Sequence, residues 1–184
     1  QEALWGPQTE RSRHNFPTGQ FMPLAIIRAL LNIKKAAAQA NLELNQIDEA
    51  KGKLIIEAID QLLVLPDDDL RKDFPLKVYQ TGSGTQTNMN TNEVVANLAK
   101  RLNPDVTVLP NDDVNKGQSS NDVYPTAMNI VAVEALDQLL PAVQHLIDEL
   151  KAKQEQYWHV VKVGRTHLQD ATPLTFGQEV TWPL

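Results

Sequence analysis

The sequence predicts an all-α, mainly helical protein: a small helical N-terminal domain followed by the first long helices of a central multi-helix bundle. Three observations carry that expectation. Apolar residues recur at spacings of three and four through several separate stretches. One of them, from Pro125 to about Val160, would form a rod about 54 Å long at 1.5 Å per residue. Only Leu76 to Tyr79 and Val160 to Val163 read as β candidates, both short. So long an amphipathic rod cannot bury its stripe against one small domain, and a bundle assembled from several subunits is expected.

Taken in order, the first twenty residues are polar and interrupted by Gly6, Pro7 and Pro17, which reads as an extended arm or loop. Pro23 suits a helix start, and Leu24, Ile27, Leu30 and Leu31 continue a helix to about Asn41. From Ile47, the series Ala50, Leu54, Ile55, Ala58, Ile59, Leu62 and Leu63 lies on one helical face, ended by Pro66 and the aspartates 67 to 69. Near Thr87 a Gly-, Thr- and Asn-rich segment becomes a helix reaching about Leu102. A polar loop separates it from the long helix opened by Pro125, in which Ile130, Val133, Leu136, Leu140, Val143, Ile147 and Leu150 form the stripe and Pro141 predicts a kink. Thr172 and Pro173 read as the cap and first turn of a further helix. The domains expected are 1–115, helical, and 116–184, the start of the bundle. With Gln1 in place of an initiator Met and an end soon after a helix start, the 184-residue chain reads as a piece of something longer.

Composition narrows the chemistry. The chain has no cysteine, which removes disulfides, thiolate nucleophiles and Cys-ligated metal or iron–sulfur sites from this stretch. Its net charge of −6 argues against nucleic-acid or anionic-membrane partners. No apolar run approaches the ~20 residues that span a bilayer, so a cytoplasmic location is expected. No His, Asp or Glu grouping shows metal-ligand spacing, and neither metal nor cofactor is expected. Gly82, Ser83 and Gly84 fall short of a dinucleotide fingerprint because Thr87 holds the third glycine position, and no GK[ST] phosphate loop is present.

Three clusters of small neutral hydrogen-bonding residues remain, each read as a loop in front of a helix: TGSGTQTNMNTN (81–92), NKGQSSND (115–122) and GRTHLQDATP (164–173). Helix N-termini carry unpaired N–H groups and partial positive charge, so each cluster suits a carboxylate held by orientation more than by net charge. Any one of these loops alone is explained by ordinary capping. The third holds His167, an imidazole and so a residue type suited to proton traffic, beside Thr166 and between Arg165 and Asp170. His14, His145 and His159 read as solvated or capping residues.

The stretches QTGSGTQTNMNTNEVVAN, PNDDVNKGQSSNDVYPTAMNI and VGRTHLQDATPLTFGQEV closely resemble class II fumarases of the fumarase/aspartase superfamily, with similarity over nearly the whole chain. The resemblance implies a homotetramer with shared active sites and a dicarboxylate substrate, in the citric-acid-cycle interconversion of fumarate and L-malate. It implies substrate contacts from Ser83, Gly84, Thr85, Ser119, Ser120, Asn121 and Thr166, with His167 as the catalytic candidate. The family's catalytic serine loop lies beyond position 184, so the chain by itself is expected to be inactive, an assembly fragment at most. Leu109 and Val106 stand where many members carry a His and an Arg of a secondary anion site, of which Asn111 and Asp112 remain. Gly117 replaces a common Ser, and Pro183 would disrupt the last helix. Aspartate ammonia-lyases share the fold but typically show Gln after GRT and STND in place of SSND; His167 and Ser120 point to fumarase.

Overall fold

The computed structural model describes residues 3–181; Pro183 lies outside them. The order is α1 (Pro7–Asn15), α2 (Leu24–Glu43), α3 (Glu49–Leu63), α4 (Asp67–Arg71), α5 (Thr85–Leu102), a π-helical turn (Pro110–Val114), α6 (Ser120–Gln156), β1 (Val161–Thr166), β2 (Gln169–Thr175) and α7 (Phe176–Thr181). The mainly helical class is as the periodicity predicts. The chain divides into two compact units, 1–132 and 133–184.

In the first unit α2, α3 and α5 supply the core. Leu30 and Leu31 of α2, Ile55, Ile59 and Leu62 of α3, and Val94, Val95 and Ala99 of α5 are fully or almost fully buried, with Leu70 and Phe74 beneath them. The three- and four-residue spacings put these groups on the inward face of each helix. Asp48 caps α3 by accepting from the N–H groups of Ala50 and Lys51.

Several local expectations are corrected. The polar arm contains α1, because the buried carboxylate of Glu93 accepts from the N–H groups of Gly6 (2.9 Å), Gln8 (2.8 Å) and Thr9 (3.0 Å) and from the Thr9 hydroxyl (2.6 Å). That charged cap comes from α5, and nothing in the local sequence announces it. The aspartates after Pro66 end α3 but also open α4, where negative charge favours a helix N-terminus. The second polar loop contains the π-helical turn. Helix α6 starts at Ser120, ahead of Pro125, and stops at Gln156, short of Val160. Leu76 to Tyr79 forms no strand; Lys77 makes an isolated bridge with Phe21.

In the second unit the third polar cluster is an antiparallel hairpin of β1 and β2 and not a loop. Thr172 and Pro173 lie within β2, and α7 begins only at Phe176. Its cap is reciprocal: the Gln178 N–H donates to the Thr175 hydroxyl (3.1 Å) and the Thr175 N–H to the Gln178 side chain (2.9 Å). The register shifts between Val163 and Arg165, where Gly164 sits. A Cβ there would lie 2.8 Å from the Thr172 carbonyl oxygen, so the irregularity needs glycine.

Helix α6 also revises the membrane reading. It holds an 18-residue window of mean hydropathy 1.3, long and apolar enough by composition to cross a bilayer. Glu134, Gln138, His145 and Asp148, however, follow one another along one side at helical spacing, which marks a two-faced helix.

Candidate active site

The first two polar clusters meet in the first unit. Gly84 caps α5 in the left-handed conformation (φ 70°), and Thr85 follows as its first helical residue. A Cβ on Gly84 would lie 2.1 Å from the Tyr124 ring, so both backbone angle and space demand glycine. Tyr124, one turn into α6, is half-buried, and burial raises its phenol above the ordinary value. At the start of α6, the Ser119 hydroxyl accepts from the Asn121 N–H (3.3 Å), and the Ser119 carbonyl accepts from the N–H groups of Asp122 and Val123.

These two helix starts bring their hydroxyls together. Thr85 Oγ1 and Ser120 Oγ are 3.3 Å apart, and Ser83 Oγ lies 3.1 Å from Thr85 Oγ1; either member of each pair can donate. Ser83, Thr85, Ser119 and Asn121 are exposed and Ser120 is half-buried, so the ledge is open to a ligand. Positive helix ends and rotatable hydroxyls at one place make a site for an anionic oxygen ligand such as a carboxylate. Asn111 and Asp112 are exposed on the π-helical turn, whose Asp113 is paired with Lys51 at 3.0 Å.

In the second unit, Thr166 ends β1 paired with Gln169, and His167 and Leu168 form the two-residue turn. Both have positive φ, 49° and 61°, the geometry of a primed hairpin turn without its usual Asn-Gly. A histidine and a leucine held there store backbone strain and present both side chains to solvent at the tip. Arg165 and Asp170 flank the turn as an exposed pair at 3.3 Å. Among the described residues no group of three or more His, Asp and Glu gathers to hold a metal ion.

One polar residue escaped sequence reading. Lys34 lies on the apolar face of α2 with 0% exposure, and among the described residues its ammonium donates to the amide oxygens of Gln118 (3.1 Å) and Asn115 (3.3 Å). Desolvation lowers its pKa from 10.5 to about 7. The available signal was a lysine in register with Leu30, Leu31 and Ala38, which pattern alone equally reads as a lysine snorkelling from a helix edge.

A model of the family described as Lyase matches residues 1–182. The chain belongs to this lyase family. Among relatives of this lyase-family chain, class II fumarate hydratase of Myxococcus xanthus is 55% identical over 97% of the chain, and that of Bacillus subtilis 50% over 98%. The chain spans 39% and 40% of the length of those two proteins. The crystal structure of recombinant class II fumarase from Schistosoma mansoni matches 98% of the chain, and 39% of its own, with TM-score 0.80 and 43% identity. That of fumarate lyase:delta crystallin from Brucella melitensis matches 97% of the chain, and 43% of its own, with TM-score 0.81 and 42% identity.

Proposed function

We propose that the chain is the N-terminal part of a class II fumarate hydratase, which interconverts fumarate and L-malate without metal or cofactor. The observation that carries this reading is the convergence of Thr85 and Ser120 at the starts of two helices. Ser83, Gly84, Thr85, Ser119, Ser120 and Asn121 bind a substrate carboxylate through hydroxyl, amide and backbone N–H donors; Thr166, in the second unit, is a separate substrate-binding hydroxyl of the assembly. In the malate direction a base removes a proton next to one carboxylate. Negative charge then builds on that carboxylate before hydroxide leaves with a proton, and donors aligned beforehand stabilise it where it develops. His167 takes part in proton transfer or holds a carboxylate.

Segment 116–184 opens the helical bundle of a cytoplasmic homotetramer, in which residues from other subunits and from the rest of the parent chain complete the site. The exposed apolar stripe of α6 supports the assembly, and the acidic, cysteine-free composition the location. Fumarate's ultraviolet absorbance, followed with the full-length parent given malate and then aspartate, tests the reading. Interconversion with malate is expected, and fumarate released from aspartate alone overturns it.

A further inference from the structure

The second polar loop is tied to the core most densely at one amide. The side-chain oxygen of Asn115 takes hydrogen bonds from Lys34 of α2 (3.3 Å) and from Asn88 (3.0 Å) and Asn92 (3.2 Å) of α5. Its side-chain N–H donates onward to the Gln118 carbonyl (3.1 Å), and Gln118 returns a bond to the Val114 carbonyl (2.9 Å) while accepting from Lys34 (3.1 Å). Gly117, at φ 71°, makes the tight bend between them. Asn41 of α2 holds the Lys116 carbonyl at 3.0 Å. Four residues after Asn115 come Ser119, Ser120 and Asn121; three before Asn88 comes Thr85. Both halves of the hydroxyl ledge are therefore referenced to one oxygen atom.

A lysine buried among Leu30, Leu31 and Ala38, with amides in place of a carboxylate partner, is an expensive residue to keep. A methionine would fill the same space without desolvating a charge. We infer that Lys34 is a positioning residue for the proposed hydratase site, fixing the 115–118 turn through Asn115 and Gln118 so that the Ser119–Ser120–Asn121 helix start meets Thr85. The inference rests on the proposed function for its catalytic consequence and on the geometry alone for its structural one. Lys34 touches no substrate. Its effect passes through the placement of hydroxyls that do, and a few tenths of an ångström there weaken several donors together.

The test uses the full-length parent with Lys34→Met and, separately, two changes at the half-buried Gln118. Gln118→Glu keeps an acceptor for the ammonium but removes the side-chain N–H donated to the Val114 and Lys116 carbonyls, and Gln118→Met removes both the acceptor and those donations and spares the core. Two quantities are read on protein that sediments and melts as a folded assembly. One is backbone hydrogen exchange of residues 115–121 against α3 as an internal reference, and the other is kcat/KM for malate well below the melting temperature. Exchange in the loop is expected to rise at least tenfold, with α3 unchanged, and kcat/KM to fall by about tenfold to a hundredfold. A purely structural lysine would lower the melting temperature yet leave kcat/KM of the folded fraction within twofold. If Lys34→Met fails to fold, Gln118→Met decides by the same two readings. Loop exchange and kcat/KM that fail to change together in a folded variant overturn the inference. If the unmutated parent does not act on malate while loop exchange still rises, the positioning stands and the proposed reaction falls.

Discussion

Gly84 is constrained twice, by its left-handed backbone and by the Tyr124 ring against it. Gly84→Ala should cost at least about 2 kcal/mol, about 1–2 from the backbone and the rest from displacing the ring. Denaturant unfolding measures the loss, and turnover of the parent should fall with it. Lys34 makes a pH prediction. Its folded pKa of about 7 lies below the ordinary 10.5, so between those values the unfolded chain binds more protons and stability rises with pH; below about pH 7 the burial penalty is in full force. Unfolding free energies from pH 7 to 10 should show this rise, up to about 1.4 kcal/mol per pH unit, and Lys34→Met should remove it. The groups that bond the ammonium, Asn115 and Gln118, are neutral amides and add no titration of their own. His167 needs a substitution that respects its backbone. Asparagine tolerates φ 49° as valine does not, so His167→Asn removes the imidazole while keeping the turn. It should leave hairpin exchange unchanged and lower malate turnover by about a hundredfold or more, from the low end of the range for a lost acid–base group upward; an unchanged rate would demote His167 to a turn residue.

At the level of elements, α1 depends on one side chain from another helix. Glu93→Gln replaces a carboxylate that takes four hydrogen bonds with an amide whose NH₂ must face donors. A loss of about 3 kcal/mol is expected, with hydrogen exchange rising across residues 7–15 ahead of α3. What the sequence made legible follows from the same physics. Helices α2, α3 and α5 were readable because their apolar faces repeat locally, and the Ser83, Thr85 and Ser120 hydroxyls because small polar residues cluster at helix starts. Helix α1 was hidden because its cap arrives from 84 to 87 residues away. The hairpin was hidden because His167 and Leu168 occupy left-handed positions where Asn and Gly are the usual signals. Lys34 was hidden because one buried charge in an apolar stripe has no periodic signature.

For the whole molecule, α6 sets the question. Val133, Leu136, Leu140 and Val143 are 58%, 47%, 58% and 41% exposed, while Glu134, Gln138, His145 and Asp148 line another side. A lipid-crossing helix would place Glu134 and Asp137 in hydrocarbon at about 2.5–3.5 kcal/mol for each acid near the centre, whereas a bundle lets them keep to the wet side. The stripe therefore fits other helices, and in the proposed assembly those of neighbouring subunits. Charging it separates that reading from a lone surface helix. In the full-length parent, Val133→Glu with Leu140→Glu places two carboxylates on one face two turns apart, where burial against a partner would leave both unpaired. Sedimentation velocity should show the assembly reduced to smaller species, with malate turnover lost in parallel if, as proposed, the site is shared between subunits. Val64→Glu, at an exposed position just beyond α3, serves as the control and should change neither. An assembly that sediments unchanged with both stripe positions charged would show that this face of α6 is not where the subunits meet.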